Sequence, residues 1–502
     1  MVYLRREMNG ISLTSGGLAG AVLEKLALHA RRSAVDQGGV TTSYEELRAS
    51  SFRVAAAITE IAPVPGPRVL LALPSSVSAY AGMVGSLIAG GTFCPMNMLG
   101  PEVRNAEICR AFSPHIVLFE KTAPPFVDAL RGTAEFVDIL QLGTKNLDGP
   151  VKEQNDVAYV VFTSGSTGTP KGVKVGRRAF HYFLEIAAKY FDLAGGERWV
   201  QFSNLGHDLG VMDVFMALTQ GGTLVPLDDA EHLRPAAAIR DKKLSIWQSV
   251  PSVLDLMLRG RQLTAENLAS LQVMSFCGEP LHPHQIEALF SARPNLRVFN
   301  TYGATETTGF NTINRLTAAN YADSCEAGAI AIGDDVPGWS IHLRGGEGSD
   351  EGEIVVASEY LSLGYWQDEN QTRAAFRDVD FGAGGIKRTY FTGDRGVRRG
   401  SKLYCSGRLD RQVKIRGERI ELDEIDGRLR EFGFNAAYTI FKDGELYSFV
   451  ETSEEVDQER VRSHLRTALP FHAVPKSISS LPELPRNPNG KIDREALARM
   501  AQ

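Results

Sequence analysis

Cysteine is scarce in this chain and never clustered. Cys94, Cys109, Cys277, Cys325 and Cys405 are odd in number, scattered, and nowhere form a Cys-x-x-Cys. That excludes a disulfide framework and a thiolate zinc site as organising features. Basic blocks are missing too. With 54 Lys and Arg against 60 Asp and Glu, the net charge is −6 and the charges are spread along the chain, so no nucleic-acid partner is expected. Long apolar runs are absent. The most apolar stretch, Ala79 to Gly91, is interrupted by Gly82, Gly85 and Gly90 and is too short for a ~30 Å hydrocarbon layer. The first residues, Met1 to Met8, lack a basic region followed by an apolar core of signal-peptide length. A protein without membrane contact, in the cytoplasm, is the expectation. Neither a repeat of fixed period nor a low-complexity tract is present.

What remains is ordinary globular chemistry. The 502 residues are 43% hydrophobic and 23% charged, enough for about three units at ~150 residues each. Apolar residues at helical spacing from Gly17 to Leu28 and Tyr44 to Ile58 alternate with strand-like runs. Examples are Val69 to Leu73, His115 to Phe119 and Ala134 to Ile139. Such alternation predicts α/β layers. Helix is predicted again over Arg177 to Asp192, and strands over Trp199 to Phe202, Gly221 to Pro226 and Ser245 to Val250. Residues 326–400 carry Gly-rich turns between short alternating strands, a small β-rich subdomain. Past Asp410 charges become dense, with helices expected near 423–432 and 457–469 and strands between them. The expected architecture is α/β: a large N-terminal domain, 1–409, of layered α/β subdomains plus the β-rich subdomain. A small, mobile α+β C-terminal domain, 410–502, follows.

Between the strand-like run Val157 to Phe162 and Gly172 lies the most unusual segment, Thr163-Ser164-Gly165-Ser166-Thr167-Gly168-Thr169-Pro170-Lys171-Gly172. Glycines let backbone N–H groups approach an anion, hydroxyls add donors, and Lys171 supplies a point charge. It is either a phosphate cradle or a Ser/Gly-rich turn. It is not a Walker A loop, because Pro170 stands where Gly must precede Lys. Four further stretches read as polar turns or solvated edges taken singly. In Phe299 to Thr308, Tyr302 can stack on a base and Glu306 can hold Mg²⁺. In Tyr390 to Asp394, an Asp after a tight Gly turn can accept from two ribose hydroxyls. Gly407 to Gly417 alternates charged and apolar residues as a surface strand does, and Pro485 to Asp493 presents Lys491 on a stiff loop before a helix.

In this order and spacing the stretches resemble the adenylate-forming superfamily of acyl-CoA ligases, luciferases and peptide-synthetase adenylation domains. The resemblance runs from about residue 20 to Leu497. It implies ATP and Mg²⁺ as cofactors, with the phosphates held by Thr163, Ser164, Gly165, Ser166, Thr167 and Gly168. Tyr302 and Gly278-Glu279-Pro280 would flank the adenine, with Asn300, Thr301, Gly303 and Thr305 nearby. Asp394, with Arg408 beside it, would take the ribose. Glu306 would hold Mg²⁺, Lys171 and Lys491 would be catalytic, and Asp410 would be the hinge of the small domain. Ala304 departs from the Pro of many relatives.

An Asp at position 208 in amino-acid-activating members pairs with the substrate ammonium, which a pocket cannot leave unpaired. Asp208 as a helix N-cap is the alternative. The surroundings are similar to the stand-alone D-alanine:carrier-protein ligases, which implies a pocket lined by His207, Asp208, Leu209, Met212, Gln248, Ser275, Cys277, Thr301, Gly309 and Phe310. Those enzymes carry a larger apolar residue at Gly309, so a roomier pocket is expected, with Gln248 or Ser275 available to a polar side chain. A small or medium amino acid, alanine or D-alanine-like, is the expected substrate. No Gly-Gly-x-Ser carrier motif lies in the eleven residues after Lys491. The expected acceptor is therefore the phosphopantetheine thiol of a separate carrier protein, with coenzyme A as competitor. An acyl- or aryl-CoA ligase is the alternative reading of the whole chain.

Overall fold

Two sheets carry the larger part of the chain. The computed structural model describes residues 16–153, 155–165, 170–326, 328–345, 349–486 and 492–501. Among these, a six-stranded sheet runs Glu135–Asp138, Ile116–Phe119, Arg68–Leu71, Thr92–Pro95, Val157–Thr163, Lys171–Gly176. It is parallel except for the last pair. A nine-stranded sheet has Arg297–Gly303, Val273–Phe276, Ile246–Ser249, Arg198–Gln201, Thr223–Pro226 and Ser33–Gln37 side by side and parallel, with antiparallel strands at both ends. The central strands are buried along their whole length, as parallel strands covered on both faces must be.

The largest apolar cluster draws on both sheets and on helices Gly17–Leu28, Val77–Ile88, Arg177–Phe191 and Asp208–Thr219, so they pack as one body. Local signals set the helix starts. Ser43 and Glu46 close a reciprocal capping box at the head of Tyr44–Ile61, and Ser76 caps Val77–Ile88.

A third, antiparallel sheet of Trp339–Arg344, Glu351–Ser358, Ile386–Arg399, Phe376–Asp380 and Lys402–Arg408 forms the β-rich part. Beyond it come the hairpin Gln412–Ile415/Glu418–Glu421 and a three-stranded sheet with helices Leu422–Phe432, Gln458–Ala468 and Arg494–Met500. Two apolar clusters serve this smaller C-terminal part, and they contain no residue before Val413. No helix among the described residues is long and apolar enough to cross a membrane.

Three local expectations are corrected. Lys171 and Gly172 are not loop but the start of a return strand, with Thr163 facing Lys171 across the antiparallel pair. Asn300 to Gly303 continue their strand, because Asn300 and Thr301 pair with Asn314 and Ile313. Thr392-Gly393-Asp394 is no turn. It sits inside the strand Ile386–Arg399, at a register shift against Glu351–Ser358 that leaves Gly393 outside the pairing.

Candidate active site

The parallel strands of the nine-stranded sheet end at one place. Phe202 to Asn204, Val250, Cys277-Gly278 and Ala304 each follow the carboxyl end of a strand, and together they line a cavity of about 250 Å³. That is where open α/β sheets hold ligands. A second cavity of about 320 Å³ shares Gly278, Asp394, Arg408 and Lys414 with the first and continues along Glu279, Pro280, Asn300, Thr301 and Tyr302. The structure thus brings the segments of Tyr302, Glu306, Asp394 and Arg408 around two cavities that share residues.

On the second cavity, the Tyr302 hydroxyl donates to Asp394 Oδ2 at 2.6 Å, and Arg408 Nη1 donates to Oδ1 at 2.6 Å. Burial and the Asp394 charge push the Tyr302 phenol far above its ordinary range, so it is a donor here. Arg408 also grips Asp410 through two bonds of 2.7 Å, tying the last strand of the β-rich sheet to the second residue beyond it.

Glu306 is 1% exposed, yet its pKa is about 2. Burial favours the neutral acid, but Arg419 and then Lys171 outweigh it, helped by the Tyr365 hydroxyl at 2.9 Å. Arg419 Nη1 lies 2.9 Å from Glu306 Oε1. Lys171 lies 3.8 Å from Glu421 and over the Tyr365 ring. Ser164 Oγ donates to the Arg419 carbonyl. Of the other loop residues, Thr163 lines the first cavity, and Ser166, Thr167 and Gly168 lie outside the described residues, as does Lys491.

Asp208 is the first residue of its helix, and His207 occupies the cap position, so the N-cap alternative does not hold. The half-buried Asp208 carboxylate accepts from Thr305 Oγ1 at 2.7 Å and from the Leu209 N–H at 2.8 Å. Burial raises its pKa, opposed by the Thr305 bond and the neighbouring His207. Among the described residues no Lys or Arg pairs with it.

His207, Leu209, Met212, Gln248, Cys277, Gly309 and Phe310 line the same cavity. Burial raises the Cys277 thiol pKa, which leaves it a neutral wall residue. Two expected wall residues are elsewhere. Thr301 lines the second cavity and spends its hydroxyl on the Phe276 carbonyl, while Ser275 is buried beside Gln248 and lines neither. The roomier pocket expected at Gly309 is also corrected. A Cβ there would lie 2.5 Å from the Phe183 ring, so the ring already fills the volume that a side chain would take.

A family model described as AMP-binding enzyme matches residues 23–366, more than half of the chain. The chain belongs to this family. It is 30% identical, over 83% of its length and 86% of the relative's, to a D-alanine--D-alanyl carrier protein ligase of Staphylococcus aureus (strain bovine RF122 / ET3-1). Its fold is similar to the Vibrio cholerae adenylation domain AlmE in complex with glycyl-adenosine-5'-phosphate (TM-score 0.83, 24% identity, 98% of each chain). It is also similar to holo-PA1221, an NRPS protein containing adenylation and PCP domains (TM-score 0.82, 25% identity, 96% of this chain and 84% of that one).

The stretch Gly407 to Gly417 reads from sequence as a solvated edge or, by resemblance, as a segment that Lys414 to Gly417 bring to the site for thioester formation. What sequence reasoning missed is Glu418 and Arg419. In this AMP-binding enzyme the hairpin 412–421 enters the first cavity through Lys414, Arg416, Gly417, Glu418 and Arg419. Its Gly417 N–H donates to Glu279 Oε1 at 2.7 Å, and Glu418 lies 3.5 Å from His207 and 3.1 Å from His472. Farther out, Arg104 meets Glu424 at 2.7 Å and Arg428 meets Glu107 at 3.0 Å. The contacts named between the C-terminal part and the sheets are polar, and such interfaces reorient more readily than apolar ones. Density of charge after Asp410 was the available signal. It did not say which charges face inward.

Proposed function

We propose that this AMP-binding enzyme activates an amino acid with ATP and passes it to the phosphopantetheine thiol of a separate carrier protein. The observation that carries the reading is Asp208, a carboxylate on the cavity wall with no Lys or Arg paired to it among the described residues. A substrate ammonium supplies the missing charge, and a fatty or aryl acid does not. The carrier as acceptor is supported by the relatives named above.

In the first half-reaction the substrate carboxylate attacks the α-phosphorus of ATP and pyrophosphate leaves. Tyr302 and Gly278 to Pro280 bound the space for adenine, and Asp394 with Arg408 faces the ribose. The loop from Thr163 holds the departing phosphates with Lys171. Positioned donors and cations act on charge as it develops. Mg²⁺ would neutralise phosphate charge. Glu306 fits its single protein carboxylate, since Mg²⁺ takes most of its shell from phosphates and water. Among the described residues no cluster of three His, Cys, Asp or Glu offers a closed metal cage. In the second half-reaction the thiol attacks the aminoacyl carbonyl and AMP leaves.

The domain boundary of the proposal is Asp410, with 1–409 as the core and 410–502 as the moving domain. The hairpin in the cavity and the Arg419–Glu306 pair support assigning this arrangement to the transfer half-reaction, because the arginine neutralises the carboxylate that Mg²⁺ would otherwise use. A cytoplasmic setting follows from the need for ATP.

The test is ATP–pyrophosphate exchange with amino acids and their amine-free analogues. Exchange is expected only with the amines, and equal turnover of alanine and propionate would sink the amino-acid reading in favour of a CoA ligase. Asp208→Ala is expected to lower kcat/KM for exchange roughly a hundredfold or more, since removing one member of a buried pair costs about 3–5 kcal/mol. ATP binding by the variant, measured by nucleotide fluorescence, is expected to be unchanged.

A further inference from the structure

The second cavity has a charged side shared with the first and an apolar side of its own. Asp394, Arg408 and Lys414 line both, whereas Leu281, Tyr302, Ile330, Ile332, Val413 and Phe441 line the second alone. Glu279, the one carboxylate confined to the second, is already held by the Ser252 and Gly417 N–H groups. The flat, apolar face of a purine suits this side, and phosphate does not. Of these walls Val413 and Phe441 belong to the C-terminal part, and the rest belong to the core. Phe441 lies near the end of the strand Ala437–Lys442. Alternation along the strand sets Ile440 and Lys442 toward the helix Arg494–Met500, where Lys442 Nζ donates to the Ala498 and Ala501 carbonyls at 2.9 Å. Phe441 takes the other face. It joins neither apolar cluster of the C-terminal part and stays 39% exposed on the cavity wall, open to a ligand.

From this we infer that Phe441 packs on the adenine of the bound adenylate, so that the C-terminal part completes the base wall when it is docked as it is here. The inference rests on the adenylating reading above and deepens it. Phe441 is a binding residue of the nucleotide and stands away from the reacting atoms, which belong to the first cavity. The consequence is a coupling between nucleotide and domain. Whatever the ring adds to nucleotide binding in the docked arrangement, the nucleotide adds to docking by the same factor. The aminoacyl-adenylate formed in the first half-reaction therefore recruits the domain for transfer, and AMP leaves as the domain withdraws. A ligand shifts an equilibrium only through contacts that differ between its two states, and Phe441 supplies such a contact.

The experiment titrates the full chain with AMP and with ribose 5-phosphate by calorimetry. Phe441→Ala is expected to raise the Kd of AMP roughly tenfold, the usual effect of removing an aromatic ring from a base. The Kd of ribose 5-phosphate, which lacks the base, is expected to change less than about twofold, and Phe441→Tyr is expected to keep AMP within about twofold of wild type. Docking is tested by reversing charge at its polar contacts. Arg104→Glu with Arg428→Glu sets like charges opposite Glu424 and Glu107. In that background Phe441→Ala is expected to change AMP affinity less than about twofold, because coupled sites are not additive. An unchanged AMP Kd in Phe441→Ala overturns the inference and leaves the adenylating reading standing. So does an equal loss for ribose 5-phosphate, or a tenfold effect that persists in the charge-reversed background. A wild-type chain that binds neither AMP nor ATP overturns both.

Discussion

Lys491→Ala is expected to lower aminoacyl-adenylate formation roughly a hundred- to thousandfold, the usual effect of removing one positioned donor from a developing anion. Transfer from chemically supplied aminoacyl-adenylate to the carrier is expected to stay within a few-fold of wild type. The asymmetry follows from what faces the cavity. Its C-terminal wall is made by the hairpin residues Lys414 to Arg419, and Phe441 reaches the second cavity. The described flanks of Lys491 are engaged differently. Arg486 bridges Ile492, Ile492 packs on the cluster of Ile440, Tyr447 and Phe449, and Asp493 caps the helix Arg494–Met500. No described residue from 475 to 501 lines either cavity. A lysine required for the first half-reaction and a hairpin required for the second then belong to alternative orientations of one domain. Pyrophosphate exchange and carrier loading, measured separately, check this. Parallel loss of both activities in Lys491→Ala would argue against two orientations.

The parts legible in the sequence were those whose chemistry is local. A Ser or Asp before an apolar run caps the helix it precedes, and Ser43, Ser76 and Asp493 do so here. The layered α/β order followed from alternation of apolar periods, and Asp208, Met212, Gln248 and Cys277 meet in one cavity because each lies near the carboxyl end of a strand or in the first turns of the helix Asp208–Thr219, at the same edge of the sheet. Long-range pairing was less readable. Nothing in Thr392-Gly393-Asp394 says that the strand runs on through it, since that depends on partners 40 residues away such as Glu353, whose carboxylate accepts the Gly393 N–H. Glu279 was read as part of the adenine wall. It does line the second cavity, but its side chain also accepts from Ser252 and Gly417, a role fixed by where the C-terminal part docks. Likewise Arg419 and Glu421 look like solvated charge until Glu306 and Lys171 are set opposite them.

Gly417→Ala is expected to reverse the pattern of Lys491→Ala: carrier loading falls about a hundredfold, and pyrophosphate exchange holds within a few-fold. Arg416 and Gly417 form the two-residue turn of the hairpin, with φ of 53° and 80°, so both central residues are left-handed, as tight hairpins favour. A side chain at Gly417 bears strain of about 1–2 kcal/mol from that conformation alone. The added methyl also overlaps Val250 Cγ1, so the turn must withdraw from the cavity wall and give up the Gly417–Glu279 bond. Each ~1.4 kcal/mol lost in the transfer-competent arrangement is a factor of ten in rate. The overlap has a specific remedy. Val250 Cβ would stand 3.4 Å from the new methyl, an ordinary contact, so Val250→Ala removes the clash without moving the backbone. The double variant Gly417→Ala/Val250→Ala is expected to recover carrier loading at least tenfold over Gly417→Ala. Val250→Ala alone is expected to leave loading near wild type. Recovery ties transfer to the seating of this turn against Val250, whereas a double variant as slow as the single one would assign the loss to turn strain and leave the docked arrangement without a part in transfer.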